Sequence, residues 1–212
     1  MPSKETNFIS HRVLMSNAIK FRDGKLFIWD IPGAIFSNYA FAYQFGILNH
    51  MNNKQGIDAI YWMSFYQAYG ASIVIKKKFG IQQKVLENVV GQGEMLGHGK
   101  VFIKRADFEK AEIIIEVKSS IAEEFLTVFG VSKKAICHHI RGLIAGTVSY
   151  LTGKDIICIE KECIAKGNKI CVFIAKPKKD FDSMDEVIKF QTPETFPAPD
   201  TLGDKRKLKI LK

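Results

Sequence analysis

The sequence predicts a mixed α/β (α+β) fold. A first hairpin is read in "NAIKFRDGKLFIWD", where two apolar-alternating runs flank the turn "RDG". Two long stretches without Asp, Glu, Lys or Arg then follow, Ile31 to Asn53 and Ala59 to Ile75, and the second carries helical periodicity. The second half returns to strand patterns separated by helices, and closes on "IEKECIAKGNKICVF" from residue 159 to 173.

Taken in order, Pro32 and Gly33 are expected to break the first hairpin, and a helix to run from about Ala34 to Met51. A second helix is expected from Ile57 to Phe79, stopped by Gly80, and a third from Gln82 to Leu96. "GKVFIKRADFEKAEIIIEVKSS" reads as two strands, "IAEEFLTVFG" as a helix closed by Gly130, and "KKAICHHIRGLIAGTVSYLTG" as a helix ending near Gly153. Gly142 and Gly146 lie one turn apart there and leave a groove for another backbone. Strands at about 155–163 and 169–176 complete a domain of residues 1–176. From residue 177 to 212 the composition shifts to prolines and lysines, read as a tail with one short helix around Met184 to Phe190.

On the second helix Trp62, Phe65, Tyr66, Tyr69 and Ile73 recur at helical spacing and form an aromatic stripe. Such a stripe is either core or the wall of a pocket for a mostly apolar ligand. Its tyrosine hydroxyls and Gln67 need partners if buried, which favours the pocket for Trp62, Phe65, Tyr66 and Tyr69.

The chain has 212 residues, four cysteines and a net charge of +9. Four cysteines are too few for a disulfide scaffold, and "MPSKETNFISHRVL" has no signal-peptide apolar core, so a cytoplasmic protein with reduced thiols is expected. The uncharged stretches contain too many Asn, Gln, Ser and Tyr residues for a spanning helix, so no membrane insertion is expected. Lysine clusters such as "KRKLKILK" permit contact with nucleic acid or a partner protein through the tail. No dinucleotide fingerprint is present, since "GQGEMLGHG" lacks the G-x-G-x-x-G form, and no nucleophile–base pair stands out. An enzyme is therefore not expected.

The chemistry concentrates at the cysteines. A short loop over residues 166 to 168 would set Cys163 opposite Cys171. Glu160 lies three residues before Cys163, on the other face of a regular strand, and only a bulge or strong twist would bring it round. Cys137, at the start of the preceding helix, adds a third thiol. Three thiols and a carboxylate are donors that suit tetrahedral zinc, and the same three thiols suit a buried core equally well. Cys158 shares the face of Glu160 and competes with it for the fourth position, as does Glu162; His138 and His139 adjoin Cys137.

The run from Cys137 to Phe173 resembles the ending of the 4-vinyl reductase domain family: a glycine-bearing helix, a strand, Glu-x-x-Cys, a glycine turn and Cys-x-Phe. The resemblance extends from about Asn17 to Pro177. It implies a helical layer packed on an antiparallel sheet, often as a dimer, with a pocket for a small, mostly apolar molecule beside a C-terminal zinc hairpin. In the related sensor domains of phenol-responsive regulators the matching positions bind zinc, which implies Cys137, Glu160, Cys163 and Cys171 here. A stand-alone sensor or carrier is the function that follows. The resemblance also raises vinyl reduction, and the basic tail raises a regulatory or assembly subunit.

Overall fold

The computed structural model describes residues 19–22, 25–28, 31–33, 38–51 and 53–194. Strands β1 (Ile19–Arg22), β2 (Lys25–Ile28) and β3 (Ile31–Gly33) form an antiparallel sheet with β2 in the middle. Pro32, expected to break the hairpin, instead pairs opposite Phe27. It sits on an edge strand, where a missing N–H donor is tolerated.

Helix α1 (Asn38–His50) begins the helical layer. The expected start at Ala34 lies outside the described residues. Helix α2 (Lys54–Phe79) starts three residues earlier than Ile57, because the Asn53 side chain caps it by accepting from the Gly56 N–H at 2.8 Å. Gly80, with φ +72°, ends it. Helix α3 (Gln82–Met95) leads into strands β4 (Gly99–Asp107) and β5 (Glu112–Ser119). Helices α4 (Ser120–Phe129) and α5 (His138–Thr152) follow, then β6 (Ile156–Glu162), a 3-10 turn over Ile164–Lys166 and β7 (Cys171–Pro177). The second sheet is antiparallel with order β4-β5-β7-β6, so β6 is an edge.

Packing of α2 on α5 is set by the two glycines. A Cβ on Gly142 would overlap the Tyr61 carbonyl oxygen, and one on Gly146 would overlap that of Phe65. The backbones therefore meet directly, and α2 contributes small buried residues to the contact, Ser64, Ala68, Ala71 and Ser72. Behind α5 the core is made by the inward face of β5 and β7, including Ile113, Ile115, Phe173 and Ala175, all 1% exposed or less.

The segment read as a tail is packed as far as Glu194. Helix α6 (Glu186–Gln191) is capped by Asp185, and Trp62 Nε1 donates to the Glu194 carbonyl at 2.8 Å. Residues 195–212, with the lysine-rich end, lie outside the described residues. No helix among the described residues is long and apolar enough to cross a membrane.

A four-ligand cluster and the cavity beside it

Cys137 is the N-cap of α5, Glu160 lies in β6, Cys163 follows that strand and Cys171 opens β7. The bulge that the spacing requires is present: Glu160 pairs with Phe173 and Glu162 with Val172, leaving Lys161 as the extra residue. That one-residue shift turns Glu160 and Cys163 to the same side. Gly167 supplies the left-handed residue of the loop at φ +91°, and Asn168 fixes it by accepting from the Cys163 N–H at 3.1 Å.

The four ligand atoms lie within 4.8 Å of one another and all four residues are buried. Cys137 Sγ and Cys171 Sγ are 3.9 Å apart. The Cys137 N–H donates to Glu160 Oε2 at 2.9 Å, whereas Glu160 Oε1 is buried with no hydrogen-bond partner. A buried carboxylate oxygen left open toward three sulfurs is an acceptor without a donor, the condition that a cation relieves. The N-terminus of α5 adds a favourable field for negative ligands at this point.

Without a cation the cluster cannot hold all its negative charge. Burial, then the neighbouring thiols, raises Cys137 well above its ordinary range, and burial followed by the Cys163 charge does the same to Glu160. Hydrogen bonds from Cys137 and Cys171 pull Cys163 far down. For Cys171 the Cys137 hydrogen bond acts downward, but the Cys163 bond and burial outweigh it and the thiol is raised. One thiolate is thus stabilised by protons on its neighbours, and a metal ion would displace those protons. The donor set can hold a metal ion, and four protein ligands would leave no open position.

Cys158 is buried outside this group, its thiol pushed up by burial, and its carbonyl faces Arg141 at 3.5 Å. Glu162 lies beyond the bulge, half-buried and also outside the group. The histidines are core hydrogen-bonders. His138 Nδ1 meets Arg141 Nη2 at 2.9 Å and His139 Nδ1 meets Ser64 Oγ at 2.7 Å.

An apolar cavity of about 40 Å³ lies between α3, β4, β5 and α5, lined by Val89, Val90 and Gly93, by His98 and Val101, by Ile115 and Val117, and by Ile140, Leu143, Ile144 and Thr147. Its Thr147 hydroxyl is spent on the Leu143 carbonyl at 2.8 Å, while His98 Nδ1 has no partner. None of Trp62, Phe65, Tyr66 and Tyr69 lines it. These four are half-buried along one flank of α2, Trp62 stacked with Tyr66 at 5.7 Å and Phe65 with Tyr69 at 6.2 Å. The stripe exists, but the face of α2 that meets α5 is the small-residue one beside it. The cavity residues carried no sequence signal, because they come from four elements and look like ordinary core apolar positions.

The cavity and the cluster share walls. Val117 lines the cavity and is the cross-strand partner of Cys171, and Ile140 lies one helical turn after Cys137.

Comparison with known proteins places this region. The 4-vinyl reductase domain family matches residues 117–177. The phenol regulator MopR of Acinetobacter guillouiae is 36% identical over 73 residues, which is 34% of this chain and 13% of that regulator, so the match spans only a small part of the relative. Among solved structures, the phenol-responsive sensory domain of the transcription activator PoxR, determined with phenol, superposes with a TM-score of 0.73 at 16% identity, over 91% of this chain and 100% of that one. A trafficking protein particle complex subunit 3 from Naegleria fowleri, covalently bound to palmitic acid, gives a TM-score of 0.44 at 14% identity over 66% of this chain and 93% of its own. With the glycine helix, the bulged Glu-x-x-Cys strand and the Cys-x-Phe strand all inside the matched segment, residues 117–177 are a 4-vinyl reductase domain, carried by the fold of the PoxR sensory domain.

Proposed function

We propose that this chain is a small-molecule sensor or carrier that takes a small, mostly apolar ligand into the cavity between α3, β4, β5 and α5, with zinc held by Cys137, Glu160, Cys163 and Cys171. The observation that carries the reading is the shared wall: Val117 lines the cavity and pairs with Cys171 across the sheet. A metal that fixes the β6–β7 hairpin therefore also fixes one side of the ligand site. The likeness to MopR and to the PoxR sensory domain supports the same class of function.

Zinc is the metal favoured by the donors. Three thiolates and a carboxylate are soft-to-borderline ligands that suit it better than calcium or magnesium, which take oxygen. Tetrahedral zinc with Zn–S near 2.3 Å separates its sulfurs by about 3.8 Å. The Cys137 to Cys171 distance of 3.9 Å fits that spacing. The role is structural, since all four positions are filled by protein.

The cavity, at about 40 Å³, is smaller than the roughly 150 Å³ that accommodates benzene in an engineered apolar site. A ring-sized ligand would enter by displacing side chains such as Leu143 and Val90, so that occupancy changes the packing of α3 against α5. That response is what a sensor requires.

The chain is also proposed to pair with a second copy. On α1, Tyr43 is 48% and Ile47 55% exposed, and Tyr43 packs edge-on to the exposed Phe129 ring, an apolar surface of the kind that oligomers cover.

Native mass spectrometry of freshly purified chain tests all three statements in one spectrum. The expected result is a dimer with one zinc per chain and an additional small apolar mass, with the zinc lost in Cys163→Ser. A metal-free, ligand-free monomer of undiminished stability would sink the reading and leave the cluster as packed core thiols.

A further inference from the structure

Glu160 has a second set of contacts that the metal reading does not use. Its main-chain N–H donates to Gln191 Oε1 at 2.7 Å, and Gln191 Nε2 donates to its carbonyl at 2.8 Å. Because β6 is the edge of the sheet, the outward N–H and C=O of Glu160 have no neighbouring strand, yet the residue is only 1% exposed. Buried backbone groups require partners. The Gln191 side-chain amide supplies both, standing in for one residue of a missing strand.

Gln191 is itself held. Arg141, fully buried in α5, donates from Nη1 to the Gln191 carbonyl at 2.6 Å. The residues after it are tied to α2: Lys54 Nζ donates to the Thr192 carbonyl at 3.1 Å, the Glu194 N–H to Asp58 Oδ2 at 3.0 Å, and Trp62 Nε1 to the Glu194 carbonyl. Residues 191–194 thus form a strap from the bulged strand to the start of α2. The bulge at Lys161 lies directly after the residue that Gln191 grips.

We infer that Gln191 is a positioning residue of the metal centre: by holding both main-chain groups of Glu160 it sets the backbone from which the carboxylate reaches the thiols, and so couples metal binding to docking of the 191–194 strap. The inference rests on the metal reading above. Coupling of two binding events is reciprocal, so whatever factor Gln191 contributes to metal affinity, bound metal must return as stability of the strap.

The test is zinc affinity of the full chain, measured by competition with a chromophoric chelator, for the wild type and Gln191→Ala. Loss of an outer support of a metal ligand costs about 10- to 100-fold in affinity, and that is the expected loss here. Cobalt loaded in place of zinc reports ligand geometry by its d–d absorption, which is expected to change in the variant; a merely structural role would leave that spectrum unmoved. If the wild type binds no zinc, the metal reading fails and takes the inference with it. If the wild type binds and Gln191→Ala stays within twofold with the same cobalt spectrum, the inference alone is overturned. Should Gln191→Ala not fold, hydrogen exchange of the wild type decides: Glu160 and Glu194 amides are expected to exchange more slowly with zinc than after chelation, and equal rates overturn the coupling.

Discussion

At the scale of single residues, burial sets the behaviour of the titratable groups more than their charge partners do. His139 is the clearest case: burial first, then His98, lowers it to about 3, and burial likewise lowers His98 and His138. A histidine whose folded pKa lies below its unfolded value near 6.5 leaves the unfolded chain binding more protons between the two. Unfolding free energy therefore rises with pH across that window, is complete above about 6.5 and is lost as pH falls toward 3, at about 1.4 kcal/mol per pH unit for each such group. Urea denaturation at pH 7.5, 6 and 5 should show this slope, and it should be shallower by about one such increment in His139→Asn, which keeps a donor near Ser64. Identical slopes would mean that His139 does not titrate between the states. Protonation of the cysteine cluster is common to both proteins and cancels in the comparison. At this scale the sequence was legible for the ligand types, since Cys137, Cys163 and Cys171 could be named from spacing. Choosing Glu160 over Cys158 depended on one bulge at Lys161, a backbone irregularity that no local residue preference announces.

At the scale of elements, glycines in helices separate packing from propensity. Gly146 in α5 lies against the Phe65 backbone, and the atoms a Cβ would meet are main-chain atoms that cannot swing aside. Gly146→Ala should destabilise the protein by about 1–3 kcal/mol through overpacking. Gly70 in α2 has nothing within 4 Å of a Cβ, so Gly70→Ala should instead stabilise it, by about 0.5–1 kcal/mol through helix propensity. Denaturation midpoints of the two variants should move in opposite directions; a shared direction would contradict this assignment of the α2–α5 contact. The groove left by Gly142 and Gly146 could be anticipated from the sequence, as could most helix and strand limits, because periodicity and stop signals are local. Which face of α2 fills that groove could not. The aromatic stripe has the larger apolar area, but Ser64 and Ala68 are small enough to let two backbones touch, and close approach decided the orientation.

At the scale of the whole molecule, the distant pairings were the hidden part. The sheet order β4-β5-β7-β6, the cavity assembled from four elements and the Gln191 grip, thirty-one residues from Glu160, are all non-local and leave no periodic trace. They also explain why one metal site should matter to the entire fold. Its ligands come from the start of α5 and both strands of the β6–β7 hairpin, and β7 lies against β5, which lines the cavity. A ligand that binds only the folded state adds RT ln(1 + [L]/Kd), about 4 kcal/mol when free zinc is a thousandfold above its Kd. For a domain of this size each kcal/mol moves the thermal midpoint by about 2–4 °C, so removing zinc should lower Tm by roughly 8–16 °C. Thermal denaturation with one equivalent of zinc, and again with excess chelator, measures that shift. Because Val117 is paired with Cys171 and Ile140 follows Cys137 by one turn, amide exchange at these two cavity residues should speed up in the same chelated sample. A fall in Tm without faster exchange at Val117 and Ile140 would confine the metal to the hairpin and separate it from the ligand site. Both changes together would establish that the cluster supports the cavity wall.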